Sequence, residues 1–357
     1  MATLADVARA AGVSPSTVSY VLTGNRPISA ATRERIEQAM QELGYTPNPF
    51  ARGLRAKSAK IIAMSCPIAG TGMPGLTLLE YVMSASQRAQ ERGYHLLLWT
   101  TPTDTVDGLA QLAGQGLVDG VVVMEVRMHD PRIKVLTDAC LPFVLIGRNA
   151  DPAGLDFIDT DFDQCAELAV NHLVELGHRR LGVVTDLSSR AAGGRGASVR
   201  FMAAVRRAAS QVGARLTTVR CEPSTDAGRR TFRALVAKDP QMTAVLVANI
   251  DTTSGIMAAA FDAGLRISED LSVMGLIMAP NQAQLTVPAL TAVSPPISEM
   301  GRSAVDQLIN RIEGKSSDIG QWLFQGELEL RETTGPAKRG RGAHVTIGAP
   351  RSTARLR

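Results

Sequence analysis

At 357 residues the chain is long enough for two or three domains rather than one. Its composition, 45% hydrophobic and 20% charged, is that of a globular protein and excludes a collagen-like or wholly disordered chain. No apolar run approaches the roughly 20 residues of a membrane helix. The N-terminus shows no apolar core followed by a cleavage site, so the expectation is a cytoplasmic protein, at the nucleoid if it is bacterial. The net charge of +4 is unevenly spread: residues 1–60 hold eight Lys/Arg against four Asp/Glu, residues 336–357 hold six against none, and the middle holds 24 against 30. A small basic domain on a mildly acidic body suits phosphate-backbone binding. Cys66, Cys140, Cys165 and Cys221 have no C-x-x-C spacing and read as small buried hydrophobes in a reduced compartment.

The first stretch, TLADVARAAGVSPSTVSYVL, spans residues 3–22. Leu4, Val7, Ala8 and Ala11 fall on one helical face, and Thr3 with Asp6 has capping-box spacing. Gly12 suits a sharp turn, Ser14 caps a second helix, and Pro15 fits its first turn. Val18, Val21 and Leu22 form the buried stripe of that second helix. The pair is a helix-turn-helix, and it leaves Pro15, Ser16, Ser19 and Tyr20 on the outer face, where such a motif enters the major groove. Ser29 caps a third helix with apolar residues Ile36, Ala39, Met40 and Leu43, closed by Gly44. The linker GYTPNPFARGLR follows, with Pro47 and Pro49 ending the helix and a short helix expected over residues 50–55.

Three motifs in this order, LADVARAAGVSPSTVS, ISAATRERI and LGYTPNPFARGLR, resemble the LacI family of bacterial transcription regulators. The resemblance implies base reading by Pro15, Ser16 and Tyr20, with Ser19 beside them. It also implies phosphate contacts at Thr3, Ser14, Ser29 and Thr32, which lie at helix N-termini. Asn48, Arg52 and Arg55 would contact the groove or backbone near a hinge helix, and Leu54 would insert into the minor groove as an apolar wedge.

From Lys60 the pattern changes. Apolar runs at 61–66, 95–100, 120–124, 143–147 and 157–160 read as buried strands, and a second set follows at 181–185, 216–219, 244–248, 271–275 and 290–293. Helical stretches lie near 77–92, 105–115, 130–139, 163–177, 197–212, 226–238, 252–264 and 297–313. Such alternation predicts parallel sheets covered by helices, in two α/β lobes. The segments LVELGHRRLGVV, AVLVAN, GLRISEDLSVMG and LTAVSPPISEMGRSAVDQL resemble the family's periplasmic-binding-protein-like effector domain. The predicted fold is thus an all-α helix-turn-helix domain (residues 1–45), a hinge (46–59), a two-lobed effector-binding and dimerisation domain (60–335) and a basic disordered tail (336–357).

Ligands in such folds sit between the lobes at strand carboxyl ends. The candidate effector contacts are Arg148, Arg195, Phe201 as an apolar wall, Asn249, Asp251 and Ile277. Three positions in this region depart from the family pattern: Ala197 stands where an arginine usually precedes the aromatic, Ile250 where an aspartate follows the asparagine, and Ile277 where an aspartate grips sugar hydroxyls. Apolar groups in place of such anchors predict an effector less hydroxylated than a free hexose, or loss of effector control.

Other motifs compete weakly. Gly70-x-Gly72-x-x-Gly75 follows a strand and precedes a helix, as in a dinucleotide-binding enzyme, but Pro74 is awkward for a close approach to pyrophosphate. Gly314-Lys315-Ser316 lacks the first glycine of a P-loop. The five histidines are dispersed, so no metal site and no cofactor is expected. A solute-binding protein of the same two-lobed form is disfavoured by the helix-turn-helix. The tail lacks leucine heptads, which favours a dimer over a tetramer. The reading is a non-enzymatic repressor that binds a pseudo-palindromic DNA operator as a homodimer under small-molecule control.

Overall fold

A computed structural model describes residues 2–23, 26–45, 58–66, 75–100, 106–186 and 194–338. The N-terminal unit has helices α1 (Leu4–Ala10), α2 (Pro15–Thr23) and α3 (Ala30–Glu42). The Thr3 hydroxyl accepts from the Asp6 amide while the Asp6 carboxylate accepts from the Thr3 amide, a closed capping box. Gly12 turns the chain at φ 63°, and the Ser14 hydroxyl oxygen accepts the Thr17 amide at 3.1 Å. Val7, Ala8, Ala11, Val18, Val21, Ile36 and Ala39 make the core of this unit. Leu43 is not part of it: α3 ends at Glu42, Leu43 caps the helix at 41% exposure, and Tyr45 packs against the core instead.

The body follows as β1 (Ile61–Ser65), α4 (Leu76–Glu91), β2 (His95–Trp99), α5 (Asp107–Gly114), β3 (Gly120–Val123), α6 (Pro131–Asp138), β4 (Phe143–Ile146) and β5 (Phe157–Thr160). Then come α7 (Phe162–Glu175), β6 (Arg180–Asp186), α8 (Gly196–Gln211), β7 (Arg215–Cys221), α9 (Thr225–Lys238), β8 (Ala244–Val247), α10 (Ile250–Asp262), β9 (Ser272–Leu276), α11 (Pro280–Ala283), β10 (Thr291–Ser294), α12 (Ile297–Ile312), β11 (Gln321–Phe324) and β12 (Glu327–Glu329).

The described residues form two six-stranded sheets, ordered β11-β5-β4-β3-β1-β2 and β12-β10-β9-β8-β6-β7. Every ladder is parallel except β10 with β12. Burial on both faces explains why most strands read as unbroken apolar runs. The expectation of burial fails at β2 and β7. They are the outer strands of their sheets, and Leu97 and Leu98 of β2 are exposed.

Each lobe borrows from the other half of the chain. After β5 the chain enters the second lobe, where α7 packs with α8 in one core. After β10 it returns, and α12 lays Ile297, Met300, Ala304, Val305, Leu308 and Ile309 on the first sheet. β11 joins the first sheet and β12 the second. The crossings are stitched together: the Asp161 amide donates to the Phe324 carbonyl at 2.8 Å, and Gln164 bonds Gly326 through both its carbonyl and its amide groups.

Two boundaries shift. Ser58 and Ala59, assigned to the hinge, bond the Asp119 carboxylate at 2.6 and 2.7 Å. Pro336–Lys338, assigned to a disordered tail, line the second lobe: the Ala337 amide donates to the Leu176 carbonyl at 2.7 Å, and Lys338 bonds Asp270 at 2.5 Å. Cys140 is also a correction. It is exposed with φ 51° just past α6, whereas Cys66, Cys165 and Cys221 are buried.

Candidate nucleic-acid interface and interlobe cleft

The outer face of α2 exposes Pro15 and Ser16, with Ser19 and Tyr20 half-buried beside them. Val18 and Val21, on the opposite side, fix the helix against α1 and α3. The Arg26 guanidinium lies 5.2 Å over the Tyr20 ring, a cation–π contact that holds both groups at the edge of this face. Thr3, Ser14 and Ser29 are exposed at the starts of α1, α2 and α3; Thr32 donates its amide to the Ser29 hydroxyl oxygen. Asn48, Arg52, Leu54 and Arg55 lie outside the described residues.

In the body, the loops after β3 and β4 meet the start of α8 from the other lobe. Arg148 donates Nε to Asp159 at 2.8 Å, with its guanidinium 5.4 Å over the Phe157 ring. Burial pushes the Asp159 carboxyl above its ordinary range, against the pull of Arg148 and Arg200. Arg195 pairs with Glu125, which turns the chain at φ 54° after β3. Asn249 caps α10, its side-chain oxygen taking the Thr252 amide at 3.0 Å, and Asp251 is exposed in the first turn. Ile277 follows β9 at φ 61°, half-buried against the second-lobe core. A β-branched residue is strained in that conformation, which suits Asn, Asp or Gly better.

Phe201 is a correction. It is 4% exposed inside the second-lobe core with Phe162 and Val205, so it forms no wall of the cleft. A helix turns about 100° per residue, and the neighbour that faces the other lobe is Arg200. Its guanidinium donates to the carbonyls of Arg148 at 2.7 Å and Asn149 at 2.6 Å. Burial lowers its pKa and the Asp159 carboxylate opposes that. The backbone closes the same seam: the Gly196 amide donates to the Val126 carbonyl at 2.7 Å, and the Met128 amide to the Gly194 carbonyl at 3.1 Å. Farther along, Gln282 of α11 donates to the Thr77 hydroxyl at 2.8 Å.

Gly75 precedes α4 without a side-chain cap, while Gly70 and Gly72 lie outside the described residues. Among the described residues, His, Cys, Asp and Glu form no cluster of three placed for a metal. No helix of the described residues is long and apolar enough to cross a membrane.

A helix-turn-helix joined to a two-lobed parallel α/β body defines a DNA-binding regulator with a ligand-binding type of body. Residues 3–48 match the profile of bacterial regulatory proteins of the lacI family, and residues 170–334 that of the periplasmic binding protein-like domain. The chain is 31% identical over 325 residues to the HTH-type transcriptional repressor PurR of Erwinia tasmaniensis, covering 89% of this chain and 92% of that one. It is 29% identical over 342 residues to the HTH-type transcriptional regulator AglR of Rhizobium meliloti, covering 94% of each. Among solved structures it resembles the Lac repressor dimer bound to operator and an anti-inducer (TM-score 0.80, 26% identity, 94% of this chain and 99% of that one). It also resembles the CelR–cellobiose complex (TM-score 0.69, 27% identity, 93% and 100%). The chain belongs to the LacI family and is a DNA-binding transcriptional regulator. Family membership replaces the dinucleotide-enzyme and solute-binding readings: these relatives are regulators, not enzymes.

Proposed function

We propose that this chain acts in the cytoplasm as a repressor without enzymatic activity, binding a two-fold symmetric operator as a homodimer and responding to a small molecule held between its lobes. The exposed face of α2, with Ser16 and Tyr20 beside a proline that has no side-chain donor, carries the reading. Those two side chains supply the base-edge hydrogen bonds, with Pro15 and Ser19 flanking them. Thr3, Ser14, Ser29 and Thr32 position the unit on phosphates. Asn48, Arg52, Leu54 and Arg55 serve the hinge, Leu54 as the minor-groove wedge. Selection of genomic fragments by the full chain should enrich an inverted repeat. Deletion of residues 1–60 should abolish the enrichment. Selection without a repeat, or retained after deletion, refutes the proposal.

The polar groups expected to hold an effector are largely engaged within the protein. Arg148 is paired with Asp159, Arg195 with Glu125, and the Asn249 side-chain oxygen with a backbone amide. Asp251 stays exposed, and Ile277 offers only carbon. This supports an effector poorer in hydroxyls than a free hexose, because hydroxyls buried without partners are costly. Thermal shift with sugars, nucleosides and aromatic or acyl metabolites, followed by operator release, tests it. An unmodified hexose that binds in the micromolar range and releases the operator overturns it.

A further inference from the structure

Within the regulator reading above, on which this inference rests, we propose that Arg200 and Gly196 form a latch that holds the two lobes together without a ligand, and that this latch sets the operator affinity of the ligand-free protein. The seam joins elements far apart in sequence: α8 grows from the second-lobe core, while the Arg148–Asn149 and Val126–Met128 backbone belongs to the first lobe. Arg200 is half-buried there, and both acceptors of its guanidinium are backbone carbonyls of the opposite lobe. A guanidinium that has given up part of its water needs such partners, so separation of the lobes must rehydrate it or leave it less well paired.

Gly196 gives the seam its closeness. A Cβ at this position would stand 2.3 Å from the Arg148 carbonyl oxygen and 3.2 Å from that of Val126. Only a residue without a side chain lets α8 approach near enough for the Gly196 amide to reach Val126 and for Arg200 to reach Arg148. The Arg127–Arg195 backbone bridge and the Glu125–Arg195 pair extend the same contact. These donors reach their acceptors directly across the seam, while the side-chain oxygen of Asn149 beside them is buried without a partner among the described residues. Contacts made in only one lobe arrangement bias the equilibrium toward it. A ligand changes that equilibrium only through its differential affinity for the two arrangements.

The test measures lobe separation and DNA binding independently. In a Cys140→Ser background, spin labels at Lys134→Cys on α6 and Arg206→Cys on α8 report the interlobe distance by pulsed electron resonance. The ligand-free protein should give one narrow distribution. Arg200→Met, which keeps the aliphatic stem, and Gly196→Ala, whose Cβ would stand 2.5 Å from the Arg200 guanidinium and so displaces it along with the backbone seam, should each broaden it toward longer distances. Both should move ligand-free operator affinity in the same direction, by about fivefold or more. Arg200→Lys, with its charge kept but its planar pair of donors lost, should fall between, and it serves if Arg200→Met does not fold. An unchanged distance distribution in folded variants overturns the latch. A changed distribution with unchanged operator affinity overturns its regulatory role. If the wild-type chain binds no DNA, the regulator reading fails, whereas the distance data still decide by themselves whether the latch exists.

Discussion

If α2 reads bases as proposed, Ser16 and Tyr20 act differently from Arg26, an exposed cation at the edge of the same unit that would sit on phosphate. A hydroxyl on a base edge discriminates between sequences, whereas a guanidinium on phosphate favours all of them alike. Ser16→Ala and Tyr20→Ala should each cost roughly 1–3 kcal/mol on the preferred site and relax the preference at one or two positions. Arg26→Ala removes the cation over the Tyr20 ring. It should weaken every sequence by a similar factor and lower the salt slope by about 0.9. Titrations of a randomised operator library at several salt concentrations separate these outcomes. An unaltered site preference after both hydroxyl removals would show that α2 does not read the bases. The sequence displayed this face plainly, because Val18 and Val21 mark the buried side and leave the rest by subtraction. It hid Arg200. The signal there was Phe201, a core residue one step away, and the acceptors of Arg200 are backbone carbonyls, which leave no mark in residue type.

At the scale of elements, the strands that read as apolar runs were legible because burial on both sheet faces demands such runs. β2 read the same way and is exposed, since an apolar sequence does not say which surface covers it. β11 and β12 were both missed: Gln-Trp-Leu-Phe and Glu-Leu-Glu are short, mostly exposed stretches that offer little pattern. The junction between α7 and β6 carries an expectation of its own. His178 bonds the Thr243 hydroxyl at 2.8 Å and the Gly335 carbonyl at 3.0 Å, which ties the segment after β12 to the second lobe. A carbonyl only accepts, so Nε2 carries the proton and Nδ1 accepts from Thr243, the neutral tautomer. Burial, together with the nearby His172, lowers the His178 pKa below its ordinary value, and burial lowers that of His172 against the pull of Glu175. The unfolded chain therefore binds protons on acidification before the folded one does. Stability is full above the ordinary histidine value near 6.5 and falls as the pH drops below it. Thermal unfolding between pH 7.5 and 5 should show this loss. The double variant His172→Gln with His178→Gln, which keeps hydrogen-bonding groups without titration, should flatten it in that range. An equal loss in the variant would assign the effect to carboxylates instead.

Among the described residues of the whole molecule, apolar side chains stand exposed in both lobes. Leu79 and Met83 of α4 and Leu97 and Leu98 of β2 are exposed in the first; Phe261 of α10, Leu285 and Val287 are exposed in the second, the last at 95%. A monomer with bare apolar groups beside an outer strand would tend to associate. A two-fold dimer covers the same patch on both copies and closes without leaving further free surfaces. The same symmetry serves DNA binding. One three-helix unit grips a half-site with few contacts, while two units held at fixed spacing bind the second half-site as an intramolecular event. Loss of the dimer should therefore reduce affinity for a full operator by ~10²-fold or more, with half-site affinity retained. Met83→Glu combined with Val287→Glu places like charges in both lobes' patches without touching α2 or the interlobe seam. Sedimentation should show this variant as a folded monomer, and titration of full and half operators should show the two nearly equal. A variant that remains dimeric would place the interface elsewhere. A monomer that keeps full operator affinity would show that the second unit contributes nothing to binding.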